Sequence, residues 1–304
     1  MNFASSIRLI LLAMIWGSSF MFQRVAVPEL GPNWVAAGRL ILGALVLLLV
    51  MLAMRKPLHL RKNAGAYIWI GFINSALPFW LFAYASITLP AGVTAVMNSM
   101  VPLFSVLLLW IYGERPGAGK FAGVSLGIIG VAMIVGFGGL PMNLATALGV
   151  LAGMAAAALY ALSASEIRKR FSNVDPMAVA TGSLLGATLA LLPVLFIGPV
   201  PSTQELTPWL MLLPLGVLCT GVAYFLYFKL LHDVGSTRAV TVTLLVPVFA
   251  LIWGVLFLHE HPTLLSLAGM GLVIVSMMLI LGKINLPKIF ETTGRSTHEC
   301  ESKP

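Results

Sequence analysis

Between Asn63 and Gly113 the chain reads NAGAYIWIGFINSALPFWLFAYASITLPAGVTAVMNSMVPLFSVLLLWIYG, a run of 51 residues without a charged side chain. A helix needs about 20 mostly apolar residues to cross the hydrocarbon core of a bilayer, so the run is long enough for two crossings. The Thr88-Leu89-Pro90 sequence near its middle supplies a turn between them. The run therefore predicts two consecutive transmembrane helices.

The composition of the whole chain agrees with a membrane protein. Of its 304 residues 59% are hydrophobic and only 9% are charged, whereas a soluble domain has about a quarter charged residues. This excludes the soluble enzyme classes. It also excludes nucleic-acid binding despite the net charge of +8, because basic residues on a membrane protein more often report its orientation. Cys219 lies in an apolar run and Cys300 in a polar tail, so we expect both to be reduced and structurally unimportant.

The remaining spans follow from the same length criterion. Residues 121–165 carry no charge and are broken at 136–141, which gives two more spans. The stretch from Trp16 to Phe20 offers no small-x-small cleavage site, so the first span is predicted as a helix and not as a cleaved signal. Single crossings fit near 5–27, 33–54, 176–198, 207–231, 237–258 and 262–282. The fold class predicted is thus an all-α integral membrane protein with ten transmembrane helices.

The distribution of Lys and Arg residues predicts the orientation of these helices. If the N-terminus is cytoplasmic, every Lys and Arg falls in an inner segment except Arg24, in an outer segment, and Arg39, within a span. Inner loops of membrane proteins are enriched in these residues. Both termini are therefore predicted to face the cytoplasm.

The second half of the chain repeats the first at a nearly fixed spacing. An odd number of spans in each copy means that the second copy enters the membrane the opposite way round, which is an inverted repeat. We therefore predict two inverted five-helix repeats, 1–143 and 144–282, followed by a polar cytoplasmic tail, 283–304. The matching pairs are Trp16/Tyr160, Ser19/Ser163, Arg24/Arg168 and Pro32/Pro176 at 144 residues, Gly71/Gly216 and Pro102/Pro247 at 145, and Glu114/Glu260, Pro116/Pro262 and Gly123/Gly269 at 146.

The order of these motifs resembles that of the EamA-type transporters of the drug/metabolite transporter superfamily. The motifs are Trp16–Phe20, Ala36–Leu40, a proline in the fourth and ninth helices, and Gly113–Pro116 with its echo His259–Pro262. The resemblance implies export or exchange of small metabolites, commonly amino acids or related compounds, across the plasma (bacterial inner) membrane. One departure is that Ser183, and not an arginine, stands at the repeat counterpart of Arg39.

Prolines in the fourth and ninth helices predict a substrate site near the bilayer midplane. Pro102 and Pro247 lack an N–H group, so each leaves the carbonyl four residues earlier without its helical partner. Those carbonyls belong to Asn98 and Thr243, which are polar and occupy equivalent places in the two copies. Interrupted helices from both copies commonly form the site of such a carrier. The alternative is that the prolines only kink the helices.

Aromatic and small polar side chains of four other helices are further candidates for substrate binding. An aromatic surface beside hydroxyl groups suits a small amphipathic solute, although interfacial anchoring or ordinary packing is the alternative. The candidates are Trp16, Ser19, Tyr160 and Ser163 in the first and sixth helices, and Asn74, Trp80, Tyr84, Tyr224 and Tyr227 in the third and eighth.

Arg39 is the one full charge well inside a predicted span. It could hold a carboxylate of the substrate or pair with a carbonyl of the outer gate, and the alternative is that it snorkels to the interface. Glu114 and Glu260 each lie two residues before a proline that can open the next helix, which favours a capping role over a gate.

The predicted function is a secondary transporter that exports or exchanges small amphipathic metabolites by alternating access. No cofactor or metal is expected, and the partners are a small-molecule substrate and the lipid bilayer, with no nucleic acid, for a monomer or homodimer. A membrane enzyme would need clustered acids, histidines or a nucleophile at one membrane face, which the sequence lacks. A lipid or lipid-linked substrate flippase could use the same architecture and is the alternative.

Overall fold

A computed structural model of the chain describes residues 3–284, apart from positions 115, 138, 142 and 198 and the side chains of 137, 236 and 237. Within those bounds every regular element is a helix, as the composition predicts. Cys300 and nearly all of the predicted tail, 283–304, lie outside the described residues.

The helices follow one another with short connections. The segment Phe3–Ala53 is kinked at Gly31, whose φ of 75° and ψ of 160° are not helical, and this divides it into two helices, 3–30 and 32–53, here α1 and α2. Glycine adopts such a positive φ without steric cost. The other helices are α3 (Leu60–Ala85), α4 (Ala91–Ile111), α5 (Ala118–Phe137), α6 (Leu144–Arg170), α7 (Pro176–Phe196), α8 (Leu206–Val234), α9 (Val242–Leu258) and α10 (Leu264–Ile280).

Each predicted span has one of these helices at its place. By length and apolarity, seven helical segments of the described chain are able to cross a membrane, with Phe3–Ala53 counted as one segment. The helices α9 and α10 are also apolar but shorter, at 17 residues each. Ten membrane crossings and the inverted repeat therefore remain predictions.

Three helices, α3, α4 and α8, contain irregular turns within their length, and α7 ends in a 3-10 segment at Leu192–Phe196. The helix α3 includes a π-helical segment at Phe72–Ala76, and α8 includes another at Pro214–Val222. The helix α4 is interrupted at Met100, two residues before Pro102. In the second half the prediction is wrong in detail, since α9 continues through Pro247 and the break precedes it, between a short helix at Ser236–Ala239 and Val242. Pro247 is the sixth residue of α9 and lies beyond its first turn, so the carbonyl oxygen of Thr243 has no helical N–H donor four residues later.

Glycines allow the helices to pack closely. A Cβ on Gly43 of α2 would stand 2.9 Å from the Thr220 Cβ of α8, and the same atom on Gly17 of α1 would stand 2.8 Å from the Phe249 Cβ of α9. Gly71 of α3 lies directly on the backbone of α7. Cys219 is not structurally unimportant as expected, because its buried thiol donates to the Ile15 carbonyl oxygen across 3.1 Å and so links α8 to α1.

Candidate functional site

A cavity of about 830 Å³ opens at one end of the bundle. Its outer part lies among helix ends and includes the exposed residues Tyr112, Lys120 and Arg168. We call this the basic end of the bundle. Its inner part reaches Asn74 and Ser183, which lie in the middle of α3 and α7.

Asn74 and Tyr224 lie at the floor of the cavity, and the buried Ser163 supports Asn74 from behind it. The Ser163 hydroxyl of α6 donates to Asn74 Oδ1 of α3 across 2.7 Å, or to the Tyr160 carbonyl oxygen of its own helix across 2.9 Å. The Tyr224 hydroxyl of α8 lies beside Asn74 and Ser75. The structure thus brings together three of the predicted site residues in one hydrogen-bonding group.

Arg39 lies behind this floor and is buried, with 8% of its surface exposed. Its Nε–H donates to the Thr220 hydroxyl across 3.0 Å, and its guanidinium carbon is 3.8 Å from the centre of the Phe79 ring. Tyr160 and Tyr224 are close enough to interact with its charge. Arg39 therefore does not snorkel to the interface but is directed into the bundle beside the floor of the cavity.

Sequence reasoning missed Thr220, the hydrogen-bonding partner of Arg39. The signal was available, because the spacing that relates Gly71 to Gly216 also relates Asn74 and Ser75 to Cys219 and Thr220. A search of the repeat outward from Asn74 would have found this position.

The predicted aromatic residues are divided between the cavity wall and the packing around it. Tyr224 and Tyr227 line the cavity, and Trp16 packs against Tyr227 with ring centroids 5.4 Å apart. Trp80 stacks on Tyr84 at 5.7 Å, and its Nε1–H donates to Asn33 Oδ1 across 2.6 Å. This hydrogen bond holds the Trp80 indole against α2, and Trp80 is not among the residues that line the cavity.

Polar residues near the two prolines have different surroundings. Asn98 is half-buried, and its side-chain amide makes no hydrogen bond to the residues that the structure describes. The Thr243 hydroxyl donates to the Val240 carbonyl oxygen across 2.7 Å, and the Ser19 hydroxyl donates to that of Trp16 across 2.6 Å. Pro102 lines the cavity directly. Neither Asn98 nor Thr243 lines the cavity, and of the two only the Asn98 side chain is without a hydrogen bond among the described residues.

The end of the bundle opposite the cavity mouth is closed by polar contacts. Arg24 Nη1 donates to the carbonyl oxygens of Ser86 and Ile87, each across 2.7 Å. Glu260 Oε1 accepts from the Ala91 N–H across 2.8 Å. Glu260 is thus a helix cap, but of α4 and not of the next helix in the chain as expected, because Thr263 already caps α10.

At the basic end, Asp175 caps α7 and pairs with the connection between α2 and α3. Its carboxylate accepts from the Met177 N–H across 2.8 Å and from Lys56 Nζ across 2.5 Å. Partial burial raises the pKa of Asp175, but the hydrogen bonds from Lys56, Met177 and Ala178 outweigh burial and lower it overall. The N-terminus of a helix generally lowers the pKa of a carboxylate placed there, because it stabilises the charged form.

Long apolar helices around a cavity with a polar floor define the molecule as a multi-pass membrane transporter. The chain belongs to the EamA-like transporter family, whose model matches residues 5–136 and 147–282. This confirms the resemblance inferred from the motifs.

Curated relatives and a solved structure cover almost the whole chain. The chain is 27% identical to the uncharacterized transporter YvbV of Bacillus subtilis (strain 168), with 91% of each chain covered. It is 28% identical to a probable terminal-alkyne amino-acid exporter of Streptantibioticus cattleyicolor, with 90% of this chain and 91% of that one covered. It is 25% identical to a probable amino-acid metabolite efflux pump of Escherichia coli (strain K12), with 89% and 92% covered. A solved crystal structure has the same fold with a TM-score of 0.66 at 17% identity, covering 92% of this chain and 96% of that one.

Proposed function

We propose that the protein is a secondary transporter that exports or exchanges small amphipathic metabolites, of the amino-acid type, by alternating access. The observation that carries this proposal is the cavity, which is open at the basic end and closed at the other by the contacts of Arg24 and Glu260. A carrier must expose its site to one side at a time. Two relatives named as an amino-acid exporter and an amino-acid metabolite efflux pump support this substrate class.

The proposed site combines an anion-binding group with an aromatic wall. Arg39 would receive a carboxylate from behind the floor. Thr220 engages only its Nε–H, so the terminal guanidinium nitrogens would be the donors to that carboxylate. Asn74 and Tyr224 offer hydrogen bonds at the floor, and Ser163 positions Asn74 from behind it. The apolar part of the solute would lie against the wall residues. The remaining proposed site residues are Trp16, Ser19, Trp80, Tyr84, Asn98, Tyr160, Tyr227 and Thr243.

Ten membrane crossings in two inverted repeats, 1–143 and 144–282, are part of the proposal. Contacts between α5 and α10 support it, because they obey the repeat spacing. A Cβ on Gly123 would meet Ile280 Cγ1 at 2.7 Å and the Ser276 carbonyl oxygen at 3.0 Å. A Cβ on Gly269 would meet Ile134 Cγ1 at 2.8 Å and the Gly130 carbonyl oxygen at 2.7 Å.

A shift of 146 positions converts the first set of neighbours into the second: Gly123 corresponds to Gly269, Ile280 to Ile134, and Ser276 to Gly130. Such an exchange is what a two-fold axis between the copies produces. With the positive-inside rule, the basic end and both termini, including the tail, are proposed to be cytoplasmic.

A lipid or lipid-linked substrate flippase is the second candidate function. The wall of the cavity favours it in one respect, since most of the lining side chains are apolar, among them Val101, Val106 and Leu109. An acyl chain would be compatible with such a wall.

Counterflow in proteoliposomes tests the two candidates. Vesicles holding the purified protein are loaded with a mixed pool of unlabelled amino acids, and the entry of labelled solutes is followed without an ion gradient. Saturable accumulation of a few amino acids is the expected result. Scrambling of a fluorescent phospholipid by the same preparation, without amino-acid counterflow, would favour the flippase.

A further inference from the structure

Two oppositely charged side chains hold the same turn at the closed end of the bundle. The turn joins α3 to α4 and comprises residues 86–90. Arg24 of α1 donates to two carbonyl oxygens at its beginning, those of Ser86 and Ile87. Glu260, which follows α9, accepts from the Ala91 N–H at its end. We call this arrangement the closed-end latch.

The latch matches the electrostatics of the two helix termini that it joins. The end of α3 presents unpaired carbonyl groups, which favour a cation, and the start of α4 presents unpaired N–H groups, which favour a carboxylate. Space for the carboxylate is provided by Gly254, because a Cβ there would clash with Glu260 Oε2. The Glu260 N–H in turn donates to the Gly254 carbonyl oxygen across 3.1 Å. Glu260 is therefore positioned by its contacts with α9.

The repeat places a second set of the same residue types at the open end. The counterpart of Arg24 is Arg168, and the counterpart of Glu260 is Glu114. The counterpart of the α3–α4 turn is the α8–α9 turn, after which a helix begins at Ser236, as one begins at Ala91 after the first turn. The two charged side chains of such a latch are thus present at the basic end, although Leu108 stands at the repeat counterpart of Gly254.

That second set is not engaged in this structure. Arg168 is exposed and lines the cavity, whereas its neighbours Lys169 and Arg170 pair with Glu166. Glu114 is also exposed. Neither Arg168 nor Glu114 makes a side-chain hydrogen bond or ion pair with another residue in the described part of the chain. The closed end is latched and the open end is not, as alternate use of the two sets requires.

We propose that these four residues form two alternating latches: Arg24 and Glu260 hold the end opposite the cavity closed, and Arg168 and Glu114 close the basic end when the first pair releases. The inference rests on the proposed alternating access. It assigns these side chains as positioning residues of the conformational change, which do not contact the solute.

Cysteine labelling measures the two states without any substrate. Ser105 lines the cavity, and its repeat counterpart Ala250 is buried in the closed half. A single reporter, Ser105→Cys or Ala250→Cys, is introduced with Cys300→Ser, and its rate of reaction with a maleimide is followed in detergent. The protein with Cys300→Ser but without a reporter cysteine gives the background rate of labelling at Cys219, which is buried in this structure.

The two glutamates should shift the reporters in opposite directions. Glu260→Ala removes a helix cap from the state seen here, so labelling at Ser105→Cys should fall and labelling at Ala250→Cys should rise, with the ratio of states changing by roughly tenfold. Glu114→Ala should lower labelling at Ala250→Cys. Glu260→Gln, which keeps an acceptor oxygen, should restore part of the parent behaviour. Glu29→Ala is the matched control, because Glu29 is exposed on α1 and joins no latch.

Shifts in the same direction for Glu260→Ala and Glu114→Ala, or rates equal to those of the Glu29→Ala control, would overturn the latches. A merely structural role would destabilise both states and could not produce opposite shifts. Counterflow by the parent protein is measured separately. Opposite shifts in a protein without amino-acid counterflow would support the latches and remove the proposed substrate class.

Discussion

The Nε–H of Arg39 donates to the hydroxyl of Thr220 across 3.0 Å, and this bond joins α2 of the first half to α8 of the second. A guanidinium has five N–H donors, so the bond to Thr220 leaves the terminal nitrogens able to bind a carboxylate in the bidentate manner. Burial makes such a charge costly unless it has a partner.

Replacing Arg39 should therefore separate binding of a carboxylate from the rest of transport. Arg39→Gln is expected to reduce amino-acid counterflow by roughly tenfold or more, because a hydrogen bond to a charged group is lost. Thr220→Val keeps the guanidinium and should have a smaller effect. Amino-acid amides, which lack the carboxylate, should inhibit counterflow equally well in the parent protein and in the Arg39→Gln variant. Unchanged counterflow in Arg39→Gln would show that this charge does not bind substrate.

Asn98→Ala and Thr243→Ala should each reduce transport while folding and membrane insertion remain intact. The larger loss, several-fold or more, is expected for Asn98→Ala, because the Asn98 amide is half-buried and unbonded among the described residues, whereas the Thr243 hydroxyl is bonded to Val240. Size-exclusion profiles and initial counterflow rates are the measurements. Normal transport by both variants would remove the proposed midplane site.

Gly123→Ala and Gly269→Ala should destabilise the protein to a similar extent, by about 1–3 kcal/mol, since overpacking forces backbone shifts. Their added methyl groups would approach Ile280 and Ile134 in equivalent ways. Gly119 on α5 and Gly271 on α10 have open space beside them, so Gly119→Ala and Gly271→Ala are matched controls. Thermal unfolding in detergent measures all four. A large difference between Gly123→Ala and Gly269→Ala would contradict the proposed two-fold relation.

Acid should weaken the start of α7 through Asp175. The folded-state pKa of Asp175 lies below its unfolded value, near 3.8, so its contribution to stability is fully present above that value. The contribution is lost as the pH falls from there through the lower folded-state pKa. Asp175→Asn should be less stable than the parent at neutral pH, and the difference in Tm should shrink as the pH falls below about 4. A constant difference down to pH 3 would mean that the charge of Asp175 contributes nothing.

Local patterns in the sequence predict the helices but not most of their partners. The uncharged run from Asn63 to Gly113 yields α3 and α4 because apolar length and a proline turn are local properties. The cap that Glu260 places on α4 and the bond from Trp80 to Asn33 join residues that are distant in sequence. Helical periodicity gives the face on which a side chain lies, but not the helix that packs there. The interruption at Met100 was predictable from Pro102, whereas the break ahead of α9 depends on the α8–α9 turn.

The π-helical segment at Pro214–Val222 gives α8 a mechanical property that a regular helix lacks. Because one α-helical residue corresponds to about 100° of rotation, moving a single residue through such a wide turn would twist everything beyond it by that angle. Tyr224 and Tyr227 lie immediately beyond the segment. A register slip of one residue in this segment would therefore rotate both rings about the helix axis.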